Sequence, residues 1–163
     1  MSLDYTALVL GRSTPAQIVA RLYPDETDRP EFDTSGRLWV GDDRPRRGYT
    51  LFVAPRDGGH FDASLGSDGP WVARELPAHV SVEFALDKDR LDIVAAATLE
   101  KLARLLETGG EDVAFVQNGS LMLLRRCGGE LKRYRASFWE TLEPDEIPPM
   151  FRIPDATPSE QGH

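Results

Sequence analysis

The segment DVAFVQNGSLMLLRRC, residues 112–127, constrains the fold more than any other part of the chain. Asn118-Gly119 separates two apolar runs, and this dipeptide tolerates the positive φ angles that a tight two-residue hairpin demands. Val113 to Val116 and Leu121 to Leu124 are apolar at consecutive positions, which predicts central strands covered on both faces. A second turn at Gly128-Gly129 leads into the more polar ELKRY, residues 130–134, nearer an edge. A hairpin buried on both sides needs neighbouring strands and further layers, so the chain is directed toward an α+β sheet.

The rest of the sequence supplies those partners. Residues 3–10, LDYTALVL, are apolar at nearly every position after Thr6 and read as a strand covered on both faces. Ser13 or Thr14 can cap the helix that follows, Pro15 suits its first turn, and Ile18, Val19 and Leu22 give it an apolar side. Pro24 ends it. Short strands are predicted at residues 37–40 and 49–54, joined by the basic loop of residues 42–48. Val80, Val82 and Phe84 alternate with His79, Ser81 and Glu83, the period-two pattern of a half-buried strand. A long amphipathic helix begins at Asp87 or Asp89, with Leu91, Ala95, Thr98, Leu102 and Leu105 on one side, and closes at Gly109-Gly110. Phe138 and Trp139 are expected to pack on the sheet.

The expected architecture is therefore α+β, a mainly antiparallel sheet with two helices on one face. The order strand–helix–strand–strand occurs twice. At an offset of 75 residues, Tyr5, Ala7 and Val9 fall on Val80, Val82 and Phe84, so two related units are one reading and chance similarity of apolar strings is the other. Residues 1–154 are expected to form one domain, with a flexible tail over residues 155–163. Residues 25–36, 55–70 and 144–163 read as irregular, being rich in Gly, Pro, Asp and Ser.

The formal net charge of −8 argues against a general nucleic-acid binder, whose affinity rests on Lys and Arg facing phosphates. The N-terminus lacks the basic start and apolar stretch of a signal peptide, and no run reaches the ~18 apolar residues of a membrane helix. Cys127 is the single cysteine, which fits a reducing compartment and is expected to be half-buried. A cytoplasmic protein is the expectation.

Signatures of catalysis are missing from the sequence: no phosphate loop, strand-linked GxGxxG, GxSxG elbow or HExxH occurs. His60 with Asp57 and Asp62 offers too few ligands for a zinc site, and no cofactor is expected. Two basic groups stand out, Arg44, Arg46 and Arg47 on one loop and Arg125, Arg126, Lys132, Arg133 and Arg135 on the second hairpin. Each reads either as a solvated face balancing nearby acids or as an anion or partner contact. Opposing them is an acidic loop, Asp25, Glu26, Asp28, Glu31 and Asp33. With Trp71, whose residue type is enriched at binding hot spots, these five acids are the candidate partner-binding residues.

LDYTALVL, VSVEFALDK before the long helix, DVAFVQNGSLMLLRRCGGEL and the Phe138-Trp139 pair together resemble the immunity proteins of bacterial swarming-inhibition toxin (Sit) systems. The similarity covers about two thirds of the chain and consists of structural strings. It implies a non-catalytic protein that binds and blocks a cognate protein toxin, with no nucleic-acid or membrane partner. Partner specificity would then lie in the acidic loop and in residues 55–70. The alternative is a small-ligand-binding or enzymatic α+β domain with a pocket between sheet and long loop that includes His60.

Overall fold

The computed structural model describes residues 3–65 and 71–156. Its strands are β1 (Asp4–Leu10), β2 (Phe32–Ser35), β3 (Leu38–Asp42), β4 (Tyr49–Arg56), β5 (Gly59–Ser64), β6 (Trp71–Leu76), β7 (His79–Leu86), β8 (Val113–Gln117), β9 (Leu121–Cys127) and β10 (Glu130–Arg133). Its helices are α1 (Pro15–Leu22), α2 (Arg44–Arg47), α3 (Leu91–Glu107) and α4 (Ala136–Glu140). The strands form one sheet in the order β2-β3-β4-β7-β1-β8-β9-β5-β6, with β10 also on β9. Every ladder between these strands is antiparallel except a single parallel bridge, Ser64 to Leu121. The α+β class and the mainly antiparallel sheet agree with the sequence reading.

The period-two pattern decides which side chains meet. On one face Tyr5, Ala7 and Val9 oppose Phe84, Val82 and Val80 across the β1–β7 ladder. Leu51, Val53 and Phe115 extend that layer, and Ile18, Val19 and Leu22 of α1 and Leu99, Leu102 and Leu105 of α3 cover it, all at 1% exposure or less. Each such large apolar side chain contributes roughly 1.5–3 kcal/mol on burial. The helices lie side by side on this face. On the other face, the β5–β6 hairpin brings Phe61, Ala63 and Leu65 onto Val116, Met122 and Tyr134, with Leu8 and Ala114 beside them. This second layer explains why β1, β8 and β9 are apolar at consecutive positions.

The two segments equated by the 75-residue offset, in β1 and β7, are direct partners at the centre of the sheet. Their surroundings differ. β7 is flanked by β4, the last strand of the first unit, whereas β1 is flanked by β8, the strand immediately after α3. Between β8 and β9 the register shifts at Phe115/Val116, so Leu123 is an extra residue whose carbonyl accepts from the Tyr134 amide at 3.0 Å.

Local rules fix the helix ends. Thr14 Oγ accepts from the Gln17 amide at 3.1 Å, and Gln17 returns the bond to the Thr14 amide at 2.8 Å, a capping box with Pro15 in the first turn. The C-terminus of α3 is closed by arginines. Arg126 donates to the carbonyls of Leu106, Gly109 and Glu111 at 2.8–2.9 Å, and Arg21 donates to Leu105 O at 2.5 Å while pairing with Glu111. Cationic donors at that end also suit the helix dipole.

Several segments read as irregular are ordered elements. Within residues 55–70, of which 66–70 lie outside the described residues, the chain forms the end of β4 and all of β5; Phe61, Ala63 and Leu65 alternate inward there, a short pattern hidden among Gly, Asp and Ser. Residues 25–36 contain a 3-10 turn (Glu26–Asp28) and the edge strand β2, and the basic loop is mostly the single turn α2. Beyond Pro144 the chain makes two 3-10 turns that place Phe151 at 0% exposure and Ile147 at 8%. Ala156 donates to Arg133 O at 2.7 Å, and the Arg133 guanidinium binds Asp155. Cys127, expected to be half-buried, is exposed, because it ends β9 at the solvent-facing turn.

Candidate partner-binding surface

The acidic segment and the first basic group, far apart in character on the sequence, meet at one end of the sheet. α1 delivers Tyr23 and β4 delivers Tyr49, both fully buried; Tyr49 OH donates to Tyr23 OH at 2.7 Å, and Tyr23 OH donates to Asp43 Oδ2 at 2.7 Å. Asp43 is 2% exposed and is further paired by Arg47 Nη1 at 3.0 Å, one helical turn on. The other end of the Arg47 guanidinium binds Asp28, whose second oxygen takes Arg46 at 3.2 Å. Arg29 donates to Tyr23 O at 2.9 Å. Asp28 is thus committed inside the molecule, joining the acidic segment to α2.

Electrostatics follow from this geometry. Burial, then the neighbouring Tyr49 and Asp43, raise the Tyr23 hydroxyl far above the ordinary phenol range, so it stays a proton donor. Burial alone would lower Arg47, but hydrogen bonding to Asp43 and Asp28 raises it instead. Desolvation acts to raise the Asp28 carboxyl, yet Arg47, Lys101 and Arg46 hold it below its usual value. Lys101 Nζ stands 4.4 Å from the Tyr23 ring centre; burial, followed by the charge of Arg47, pulls its pKa down.

Packing seals the same corner. Phe32 of β2 sits edge-on to Tyr23 and against Trp39, which is half-buried. Gly41 lies under Phe32, where a Cβ would come within 2.6 Å of the ring. Gly48 ends α2 at φ 81°, and a Cβ there would approach Arg90 Cβ to 2.9 Å.

The remaining candidate acids face solvent. Asp25 caps the 3-10 turn by accepting from Thr27 N at 3.0 Å and Thr27 Oγ1 at 2.7 Å. Glu26, Glu31 and Asp33 are exposed, Asp33 on the outer strand of the sheet, and none of the three carboxylates has a hydrogen bond or ion pair among the described residues. Trp71 opens β6 in backbone terms, at the opposite edge of the sheet from β2; its side chain lies outside the described residues. Beside Asp28, Arg46 and Arg47 runs an open cleft of about 620 Å³, floored by Ala97 and Glu100 of α3 and walled by Glu146 and Arg152.

The other sequence candidates separate. Arg126 and Arg133 of the second basic group serve the scaffold, on α3 and on Asp155. His60 stands on the exposed β5–β6 hairpin, 3.9 Å from Asp62 and 3.7 Å from Glu75. Among the described residues no group of three or more His, Cys, Asp or Glu side chains is placed to hold a metal ion, and no helix is long and apolar enough to cross a membrane. The tyrosine–aspartate–arginine network was missed from the sequence. Its one local signal is Asp43 four residues before Arg47; Tyr23, Tyr49 and Lys101 join it only through the fold.

These features define an α+β protein built on one mainly antiparallel sheet, with helices and a hairpin on opposite faces and the unpaired carboxylates of Glu26, Glu31 and Asp33 near its β2 edge. A family model described as SitI3-like matches residues 3–143, and the chain belongs to that family, as its resemblance to the Sit immunity proteins implied. No curated protein and no solved structure matches it.

Proposed function

We propose that this protein is an immunity protein that neutralises a cognate toxin by direct binding, without catalysis, and that the acidic segment over residues 25–33 is its principal contact. Membership of the SitI3-like family supports a toxin partner in general. The observation that carries the location is the internal capture of Asp28 by Arg46 and Arg47. It fixes the segment to the body and leaves Glu26, Glu31 and Asp33 as unpaired charges on a positioned edge. A pre-ordered patch of one sign loses little entropy on docking, and it speeds encounter with a basic surface. Residues 1–154 act as one folding unit in this reading, and the site of action is the cytoplasm.

The test is affinity for the toxin encoded beside it, measured by calorimetry. The triple substitution Glu26→Lys, Glu31→Lys, Asp33→Lys should weaken binding by about a hundredfold or more, on the scale of close interfacial charge pairs, with an unchanged melting temperature. Asp28 is left intact because its removal would disturb the scaffold. Wild-type affinity in the triple variant would remove the acidic segment from the interface.

A further inference from the structure

At the other end of β4, roughly 25 Å from α2 at ~3.3 Å per strand residue, lies a second cleft of a different kind. It has a volume of about 350 Å³ and is lined by Arg12, Arg37, Arg56, Asp57, His79 and the Ser13–Thr14 turn before α1. The sheet register creates it. His79 opens β7 and pairs with Arg56 of β4 on one side and Leu10 of β1 on the other, so the end of β4 and the loop after β1 converge on one imidazole. Arg37 arrives from the β2–β3 turn.

Three guanidiniums face one carboxylate in a chain whose overall charge is −8. The Arg12 and Arg56 side chains make no hydrogen bond or close ion pair among the described residues, Arg56 acting on the Glu83 carboxylate only at longer range, and Arg37 reaches Asp57 only at 3.5 Å with both side chains exposed. By contrast, Arg21, Arg47, Arg126 and Arg133 are each matched to carboxylates or carbonyls. His79 is 6% exposed, and its Nδ1 donates to Pro77 O at 3.0 Å, which leaves Nε2 as the uncommitted ring nitrogen. The first turn of α1 carries no acidic residue to offset the positive end of the helix beside the cleft.

We propose that this cleft binds the phosphate group of a small phosphorylated molecule. A phosphomonoester carries close to two negative charges and offers three acceptor oxygens, matching the two guanidiniums that lack a close carboxylate and the forked donors of arginine. A lone carboxylate would leave one charge unbalanced. The volume exceeds that of the phosphate alone and falls at the low end of small-molecule sites, so the carrier is of nucleotide or sugar-phosphate size. This inference does not rest on the toxin-binding reading: the cleft lies at the end of β4 away from α2, and only Arg37 shares the β2–β3 hairpin with a proposed toxin contact, Asp33.

The experiment is an amide-detected NMR titration of the intact protein with adenosine 5′-monophosphate and with glucose 6-phosphate, using adenosine, glucose and sulfate as controls. Both phosphate esters should saturate, shifting the amides of Gly11 to Thr14, Arg56 and His79, and the affinity should fall with added salt. The unphosphorylated controls should cause no shift, and sulfate should bind at least about tenfold more weakly. Arg12→Ala with Arg56→Ala should weaken the esters by about tenfold or more, the melting temperature and toxin affinity staying as in wild type. The proposal is overturned if neither ester saturates at millimolar concentration, if sulfate binds equally well, or if the double variant binds as wild type does. Because both arginines are exposed, their replacement leaves the core intact; Arg56→Lys, retaining charge without the fork, should be intermediate.

Discussion

Replacing Asp43 with Ala tests whether the network under the acidic segment is a structural anchor. The carboxylate is 2% exposed, accepts from Tyr23 OH at 2.7 Å and from Arg47 Nη1 at 3.0 Å, and lies in the turn that launches α2. Its removal deletes two hydrogen bonds to a charged acceptor, each worth ~1.5–3 kcal/mol, and strands a phenol that cannot ionise in that setting. Breaking a buried ion pair costs about 3–5 kcal/mol in general, but Arg47 here keeps Asp28, so about 3 kcal/mol is expected. For a chain of this length that is roughly 6–12 °C in melting temperature. Asp43→Asn keeps the shape and one acceptor for Tyr23 and should cost about half as much, roughly 1–2 kcal/mol. Urea unfolding at constant m-value gives the energies, and amide exchange at Asp28 and Arg29 reports on the segment, whose turn bonds should open more often in Asp43→Ala. Because Asp28 and Asp43 share Arg47, their alanine variants should be non-additive when combined. A loss below about 1 kcal/mol for Asp43→Ala, or equal losses for Ala and Asn, would refute the reasoning.

Arg126→Ala should destabilise by about 2–4 kcal/mol in urea, since one carbonyl in the last turn of α3 and two in the loop after it lose a cationic donor, while Arg126→Lys should recover only part because a single ammonium cannot span all three. Gly41→Val should lower stability by about 1–3 kcal/mol as Phe32 is displaced from Tyr23, seen as a lower urea midpoint and loss of ring-current shifts in NMR. Phe151→Ala should cost about 3–5 kcal/mol, because the turns after Pro144 are anchored by a fully buried ring against Trp139. On acidification two glutamates act in opposite senses. Desolvation would raise Glu111, but Arg21 holds it below the ordinary glutamate range, so its stabilisation is present above that range and is lost as pH falls through the lower folded value. Glu83 is raised by burial and then by Asp4, so it disfavours folding at neutral pH and recovers as it takes up a proton. Melting temperatures across pH 3 to 7 should show Glu111→Gln with a flatter acid limb and Glu83→Gln more stable than wild type near neutrality.

The sequence by itself determined the elements whose signals are local. Asn118-Gly119 set the β8–β9 turn, Thr14 and Pro15 set the start of α1, and alternation at residues 79–84 set β7. The continuous apolar runs of β1, β8 and β9 required cover on both faces, and the β5–β6 hairpin supplies it where composition alone suggested a loop. Short elements escaped because β2 is mostly exposed and β5 alternates inward only at Phe61 and Ala63. What the tertiary structure alone decided is the fate of each charge. Asp28 and Arg47 are 19 residues apart, Arg21 and Glu111 are 90 apart, and the residues of the basic cleft arrive from four separate places along the chain. Pairing depends on distances of a few ångströms and on exclusion of water, and spacing along a chain encodes neither until the sheet register brings the partners together.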